Sequence, residues 1–296
     1  MFIDSFLEYL KAELKYSVHT LRAYGGDLRA FEEYLSTLDE SLSFENVDSD
    51  IVRAWAAAMM ESGAAPASVN RRLSSLHSFY NYLLTEEHVT SNPLYGLHGP
   101  KQGYRLPTFI NERRMNELLD SEDVAGGFSE NRNRVIISCF YMTGIRLSEL
   151  VGLNLHDVDL QAMRLKVNGK RNKERIIPFA DELMMQFKDY IEARRKVALP
   201  GEQAFFVSEQ GQRISRTAVY RIVRKLLMES AHKGKCSPHV LRHTFATAML
   251  NGGAELGVVK ELLGHSRLST TEVYTHLTFE QLKDFYQKAH PRAVNT

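Results

Sequence analysis

Residues 237–253, SPHVLRHTFATAMLNGG, set an imidazole and a guanidinium within one helical turn of each other. Ser237 and Pro238 are the residue types that cap and open a helix, which places His239 in a first turn. Backbone N–H groups and the positive end of the helix dipole gather there and attract an anion. Arg242, three residues on, falls on nearly the same face. A base and a guanidinium side by side at a helix N-terminus make a grip for a phosphate. His239 and His243 also have the spacing of a zinc-protease pair, but that chemistry needs Glu after the first His, and Val240 stands there. Taken singly, His239 reads as a capping or structural residue.

Two further stretches carry residues of the same kind. In TGIRLSELVGL, residues 143–153, Gly144 breaks the helix formed by the apolar run before it, and Leu147, Leu150 and Val151 start another. Arg146 is left at the junction among apolar neighbours, where a guanidinium is costly to bury without an anion. Taken singly, it reads as half of a structural pair with Glu149 or another carboxylate. In LLGHSRLSTTEVYTH, residues 262–276, His265 follows a glycine that ends a helix, and Tyr274 comes nine residues later. With 13 tyrosines in the chain, Tyr274 carries no weight by its type alone.

These residues need elements to hold them. The first ninety residues read as four helices. Phe2, Phe6, Leu7, Leu10 and Leu14 recur at helical spacing, and Ser17 caps a second stripe of Leu21, Tyr24, Leu28, Phe31 and Leu35. A third helix runs over 48–61 and stops at Gly63. Pro66 and Ser68 open a fourth, striped by Val69, Leu73, Leu76, Tyr80 and Leu83. Residues 91–107, rich in Pro and Gly, read as a linker. The remainder, 108–296, is mainly helical around a small antiparallel sheet with strands at 158–160, 163–167 and 175–179. Asn168-Gly169 is a hairpin signal between the last two strands. Helices resume near Ala180, Arg216, Ser237, Glu255 and Phe279.

Composition narrows the class. A chain of 296 residues, 44% hydrophobic and 25% charged, is neither collagen-like nor wholly disordered, and two domains is the expectation from its length. The longest apolar run, 135–145, is too short to span a bilayer, and the acidic, amphipathic N-terminus does not read as a signal peptide. Cys139 and Cys236 cannot build a disulfide framework or a four-thiolate metal site, which fits a reducing, cytoplasmic setting. The net charge of +1 hides an asymmetry: residues 1–100 hold 7 Lys and Arg against 14 Asp and Glu, and residues 101–296 hold 30 against 22. A basic half suits a polyanionic partner such as nucleic acid.

Arg146 in TGIRLSEL, Lys170 in NGKRNKERIIP, His239 and Arg242 in HVLRH, His265 in LLGHS and Tyr274 in TTEVYTH together resemble the catalytic set of the tyrosine recombinases, in order and at that family's intervals. Ser17, Thr20, Tyr24, Asp27, Phe31, Asn70-Arg71-Arg72, Phe79-Tyr80 and Asn92-Pro93 are similar to the core-binding domain of its Xer subgroup. The likeness covers nearly the whole chain. It implies a mainly α, two-domain fold: a four-helix SAM-like core-binding domain over 1–90, the linker, and a helical catalytic domain over 108–296 with the three-stranded sheet.

The chemistry the resemblance implies is attack of Tyr274 on a phosphodiester, giving a 3′-phosphotyrosine and a free 5′-hydroxyl. Covalency conserves the bond energy, so rejoining needs no ATP, and the resemblance implies neither a cofactor nor a metal. Arg146 and Arg242 would stabilise charge on the non-bridging oxygens, and His239 would act as base for a phenol of pKa about 10. Lys170 on the hairpin would protonate the leaving oxygen, and His265 would donate a hydrogen bond to the phosphate. Here Arg171 follows Lys170 where the family commonly has Gly, which leaves Lys166 and Lys173 as other candidates for the acid. A clamp on duplex DNA is expected, reading phosphates more than bases. Arg71, Arg72 and Lys173 are its candidate DNA contacts, with Lys11, Lys15, His19 and Arg22 able to add charge.

Family behaviour implies a homo- or hetero-tetramer on paired sites, with a second Xer-like recombinase and a DNA translocase as possible partners. The C-terminal helix near 279–289, with Phe279, Leu282, Phe285 and Tyr286 on one side, would dock on a neighbour or pack within its own domain. The length and the lack of an added N-terminal arm-binding domain resemble a Xer protein that resolves chromosome dimers. A mobile-element integrase is the second possibility, and a catalytically silent DNA-binding protein is the rival from another class.

Overall fold

The computed structural model describes residues 2–101, 103, 108–120, 127–169, 174–230, 234, 236–264 and 277–293. The chain forms two compact units, Met1–Arg105 and Leu106–Thr296, each with its own apolar core.

The first unit is four helices: α1 (Phe2–Ala12), α2 (Val18–Leu38), α3 (Ser49–Glu61) and α4 (Pro66–Thr85). Their starts follow local chemistry. Ser17 accepts from the Thr20 amide at 3.2 Å, Asp48 accepts from Asp50 and Ile51 at 2.9 Å, and Pro66 opens α4. The stripes Leu28-Phe31-Leu35 and Val69-Leu73-Leu76-Tyr80-Leu83 are buried against each other and Trp55. Leu14 departs from its expected place in the α1 stripe: the helix ends at Ala12, the chain turns through Lys15 at φ 51, and Leu14 is exposed. Part of the stretch read as linker is held on this unit. Leu94 and Asn92 are buried, and Asn70 donates its side-chain amide to the Pro100 carbonyl at 3.0 Å.

The second unit begins with α5 (Glu112–Leu119), an element not expected from the sequence, where charged residues dilute a stripe reduced to Met115 and Leu119. Then come α6 (Phe128–Thr143), α7 (Leu147–Gly152) and a three-stranded sheet. The sheet consists of β1 (Val158–Asp159), β2 (Arg164–Asn168) and β3 (Glu174–Pro178), antiparallel in that order. The strands begin or end a residue away from their expected bounds; for β2 the reason is that Met163 takes φ 51 and so belongs to the turn between β1 and β2. α8 (Asp181–Arg195), α9 (Arg216–Glu229), α10 (Pro238–Asn251), α11 (Leu256–Leu263) and α12 (Phe279–Ala289) complete the unit. The apolar run of α6 is its axis, buried from Val135 through Thr143 and packed against α8, α9 and α10. Among the described residues no helix is long and apolar enough to cross a membrane.

In the single chain, α12 packs within its own unit, against α10, α11 and β3. Leu282, Tyr286 and Ala289 are buried while Phe279 and Phe285 stay half-buried, and the chain beyond α12 also turns inward at His290 and Ala293. His290 is fully buried among the rings of Tyr141, Phe245 and Tyr286. Its Nε2 meets the Tyr141 carbonyl at 3.2 Å, and its Nδ1 accepts from the Arg292 amide at 3.2 Å, which defines a neutral ring. Arg292 then reaches Glu182 and Asp120, each at 2.6 Å.

Burial pushes the His290 pKa down to about 4, with the Arg292 charge adding to the effect and the Tyr141 carbonyl opposing it. An unfolded chain, with a histidine pKa of about 6.5, therefore takes up this proton first. The stabilisation is fully present above pH 6.5 and is lost as pH falls towards 4, by roughly 3 kcal/mol at most. Thermal melts of wild type between pH 7.5 and 4.5 are expected to fall more steeply than those of His290→Gln; parallel slopes would refute this.

Candidate active site

The site is assembled where three helix ends meet β3. α6 stops at Gly144, whose φ of 60 favours glycine and where a Cβ would lie 2.5 Å from the Phe245 ring. Two residues later Arg146 caps α7. Its backbone N–H donates to Glu149 Oε2 at 2.8 Å, and its guanidinium Nη1 donates to Oε1 at 2.8 Å. The ion pair expected of an isolated arginine is thus present, but it occupies only one edge of the guanidinium.

Arg242 comes from the second turn of α10 and is 8% exposed. Ser237 sits at the N-cap of that helix with extended backbone, but its side chain makes no capping hydrogen bond, and Pro238 fills the first helical position. Arg242 donates to the carbonyls of Gly144 and Leu263, both at 2.6 Å. Burial pushes its pKa down to about 9, and the nearby charges of Arg146 and Arg175 push the same way against Glu149. The group stays protonated at neutral pH, in surroundings short of negative charge.

Arg175 is the residue the sequence reading left inside a strand. It pairs in register with Val167 on the inward face of β3 and is 11% exposed at its side chain. Nη1 and Nη2 grip Glu149 Oε1 and Oε2 at 2.6 and 2.9 Å, and Nε donates to the Leu262 carbonyl at 3.0 Å. A strand's period of two places Arg175 on the same face as Ile177 and Phe179, so an arginine among inward apolar residues was the signal available.

The three guanidiniums end on consecutive carbonyls of one helix terminus. Leu262 accepts from Arg175, Leu263 from Arg242, and Gly264 from Arg146 at 2.7 Å. These carbonyls lack intrahelical partners and carry the negative end of the α11 dipole, so they suit cations. Gly264 is left-handed at φ 64, and a Cβ there would stand 2.9 Å from Arg175 Cδ. Glu149, buried, accepts from both Arg146 and Arg175. Burial alone would push its carboxyl up, but those donors outweigh it and hold the pKa below the ordinary carboxylate value. Three guanidiniums facing one carboxylate leave an excess of two positive charges, with Arg146 30% exposed at the open side. Such a cluster binds an anion and stabilises charge that develops on its oxygens.

The other expected residues divide into two groups. His239 is exposed on the first turn of α10, one turn before Arg242. Lys170, Lys173, His265 and Tyr274 lie outside the described residues, but the ends that carry them are set: Asn168 pairs with Glu174 at the hairpin base, and Gly264 leads out of the arginine cluster. Lys166 points to the face opposite the core and pairs with Glu174 at 3.0 Å. In the first unit Arg71 and Arg72 converge on the buried carboxylate of Asp27. Arg71 grips both of its oxygens, Ser75 Oγ donates to it at 2.8 Å, and Arg72 Nε lies 3.9 Å away. Both arginines remain partly exposed, held in place by a carboxylate rather than free in solvent.

Known proteins resemble this chain in sequence and in fold. Residues 108–281 match the phage integrase family, and residues 3–87 match the phage integrase N-terminal SAM-like domain. The chain is 39% identical over 300 residues to tyrosine recombinase XerC of Halalkalibacterium halodurans, covering 98% of this chain and 97% of that one. It is 33% identical to tyrosine recombinase XerD of Oceanobacillus iheyensis, covering 98% of each. Among solved structures, XerH bound to a palindromic difH substrate after cleavage has a TM-score of 0.74 at 22% identity, over 95% of this chain and 82% of that one. The Tn1549 transposon integrase in complex with circular-intermediate DNA has a TM-score of 0.68 at 21% identity, over 96% and 98%. Each of the two units matches a model of this family, and relatives at 33–39% identity align over nearly the full chain: the chain belongs to the phage integrase family, as a site-specific DNA recombinase of the Xer tyrosine recombinase type.

Proposed function

We propose that the scissile phosphate sits on Arg146 and Arg242, and that Tyr274 attacks it to form a 3′-phosphotyrosine. The observation that carries this is the excess of two positive charges held by Glu149 and the end of α11, open at Arg146. His239 takes the phenolic proton, Lys170 protonates the departing 5′-oxygen, and His265 donates to a non-bridging oxygen. Arg71, Arg72 and Lys173 contact the DNA backbone. In this scheme the α7 cap and α10 carry the phosphate grip, while the hairpin and the chain after α11 bring in the acid and the nucleophile.

The biological reading is resolution of chromosome dimers in the cytoplasm, by a tetramer on paired sites that includes a second Xer-like recombinase and responds to a DNA translocase. The names XerC and XerD on relatives aligned over nearly the full chain support it. The decisive test incubates the protein with nicked duplexes from candidate chromosomal sites, then denatures and resolves the products on a gel. A protein-linked DNA band on one of these sites is expected and maps the site. Tight binding with no adduct on any of them would overturn the assignment.

A further inference from the structure

Glu149 creates a difficulty for the site described above. A carboxylate in contact with Arg146 neutralises the charge on which the phosphate depends, and at short range the two would form a closed pair. Arg175 removes the difficulty. It takes both Glu149 oxygens with a two-pronged grip, at 2.6 and 2.9 Å, while the Arg146 guanidinium keeps a single contact to that carboxylate at 2.8 Å. The four hydrogen bonds on Glu149, two from each arginine counting the Arg146 backbone N–H, use up its accepting capacity. Arg175 is also the more enclosed of the two, 11% against 30% exposed at the side chain, so it stands behind Arg146 rather than at the open face.

We propose that Arg175 is a positioning residue for strand cleavage: it engages Glu149 so that the carboxylate orients Arg146 without cancelling its charge. The proposal rests on the arginine cluster being the phosphate site. Arg175 also fixes geometry through a third contact. Its Nε holds the Leu262 carbonyl, and its side chain lies against Gly264, whose own carbonyl holds Arg146. One strand residue thereby links the hairpin that carries Lys170, the α7 cap that carries Arg146, and the end of α11 that leads to His265.

Charge counting gives this role a signature that a merely structural one lacks. With Arg175, Arg146 and Arg242 against Glu149, the site has an excess of two positive charges. R175Q leaves an excess of one, because Glu149 then offsets one of the two remaining arginines and its only hydrogen-bonding arginine is Arg146. The double variant R175Q/E149Q returns the excess to two.

The test measures single-turnover cleavage of a nicked duplex bearing the site mapped by the adduct assay, alongside DNA affinity and thermal melts. R175Q is expected to cleave roughly 10- to 100-fold more slowly than wild type, with DNA affinity unchanged. R175Q/E149Q is expected to cleave faster than R175Q despite carrying one more substitution at the site. A wild-type rate for R175Q, a loss confined to DNA affinity, or a double variant no faster than R175Q would each overturn the proposal. Should R175Q fail to fold, R175K decides the matter, since it keeps the charge but not the fork. It is expected to cleave several-fold more slowly, and a wild-type rate would overturn the proposal. Absence of any adduct in wild type refutes instead the reading of the cluster as the phosphate site.

Discussion

Tyr274→Phe is expected to bind its DNA as wild type does and to form no covalent adduct. Loss of one oxygen removes the atom that must bond to phosphorus. Burial narrows the alternatives. The second unit has five tyrosines, Tyr141, Tyr190, Tyr220, Tyr274 and Tyr286. Tyr141, Tyr190 and Tyr286 are fully buried, and burial pushes the pKa of Tyr141 and Tyr190 up to about 12 and that of Tyr286 higher still, the reverse of what a nucleophile needs. Tyr220 is exposed on α9, whereas Tyr274 follows Gly264, whose carbonyl holds Arg146. The denaturing gel run on wild type, Tyr274→Phe and Tyr220→Phe is expected to show the adduct in the first and third only. An adduct surviving in Tyr274→Phe, or lost in Tyr220→Phe alone, would reassign the nucleophile.

Arg242→Gln is the second large effect. A guanidinium directed at charge developing on a phosphate acts in a partly dry site, and removing one such donor costs roughly 10²- to 10³-fold in rate. Stability should move far less. Arg242 is a buried cation that Arg146 and Arg175 repel, so its removal relieves repulsion while leaving two short hydrogen bonds to Gly144 and Leu263 to be replaced. The Gln amide can still donate to one of those carbonyls. Single-turnover cleavage and a thermal melt on the same preparation separate the two effects. A cleavage rate within a few-fold of wild type would remove Arg242 from the phosphate site, and a collapse in melting temperature would make its role structural.

Part of the site was legible because its chemistry has a short sequence period. His239 and Arg242 share a helix, as their caps and spacing predict; in the structure Arg242 is buried and His239 is exposed. The junction at Gly144 was legible because a glycine that ends a helix leaves the next polar residue at a corner, and Arg146 sits there. The helices of the first unit followed from stripes at 3.6-residue spacing and from caps such as Ser17 and Asp48, all local signals. Leu14 shows their limit: periodicity continued past the point where Lys15 turned the backbone.

What sequence alone determined here is the inventory: which residues carry charge, that Arg146 lies at a helix junction, Arg175 in a strand and His239 and Arg242 on one helix, and the order in which they come. Tertiary structure decided how those charges combine. The acceptors for Arg146, Arg175 and Arg242 are backbone carbonyls at the end of α11, and a carbonyl is present at every residue, so no letter marks the three that matter. Arg175 lies 26 residues from Glu149, and Arg146 lies 118 from Gly264, distances that only packing can close. The same holds for α12, whose amphipathic face would serve a neighbour or its own unit. In the single chain that face is held by the contacts of Tyr286, His290 and Arg292, which exist only once α6, α8 and α10 have come together around them. Local propensity acts over a few residues, whereas desolvation and charge balance depend on everything that surrounds a group.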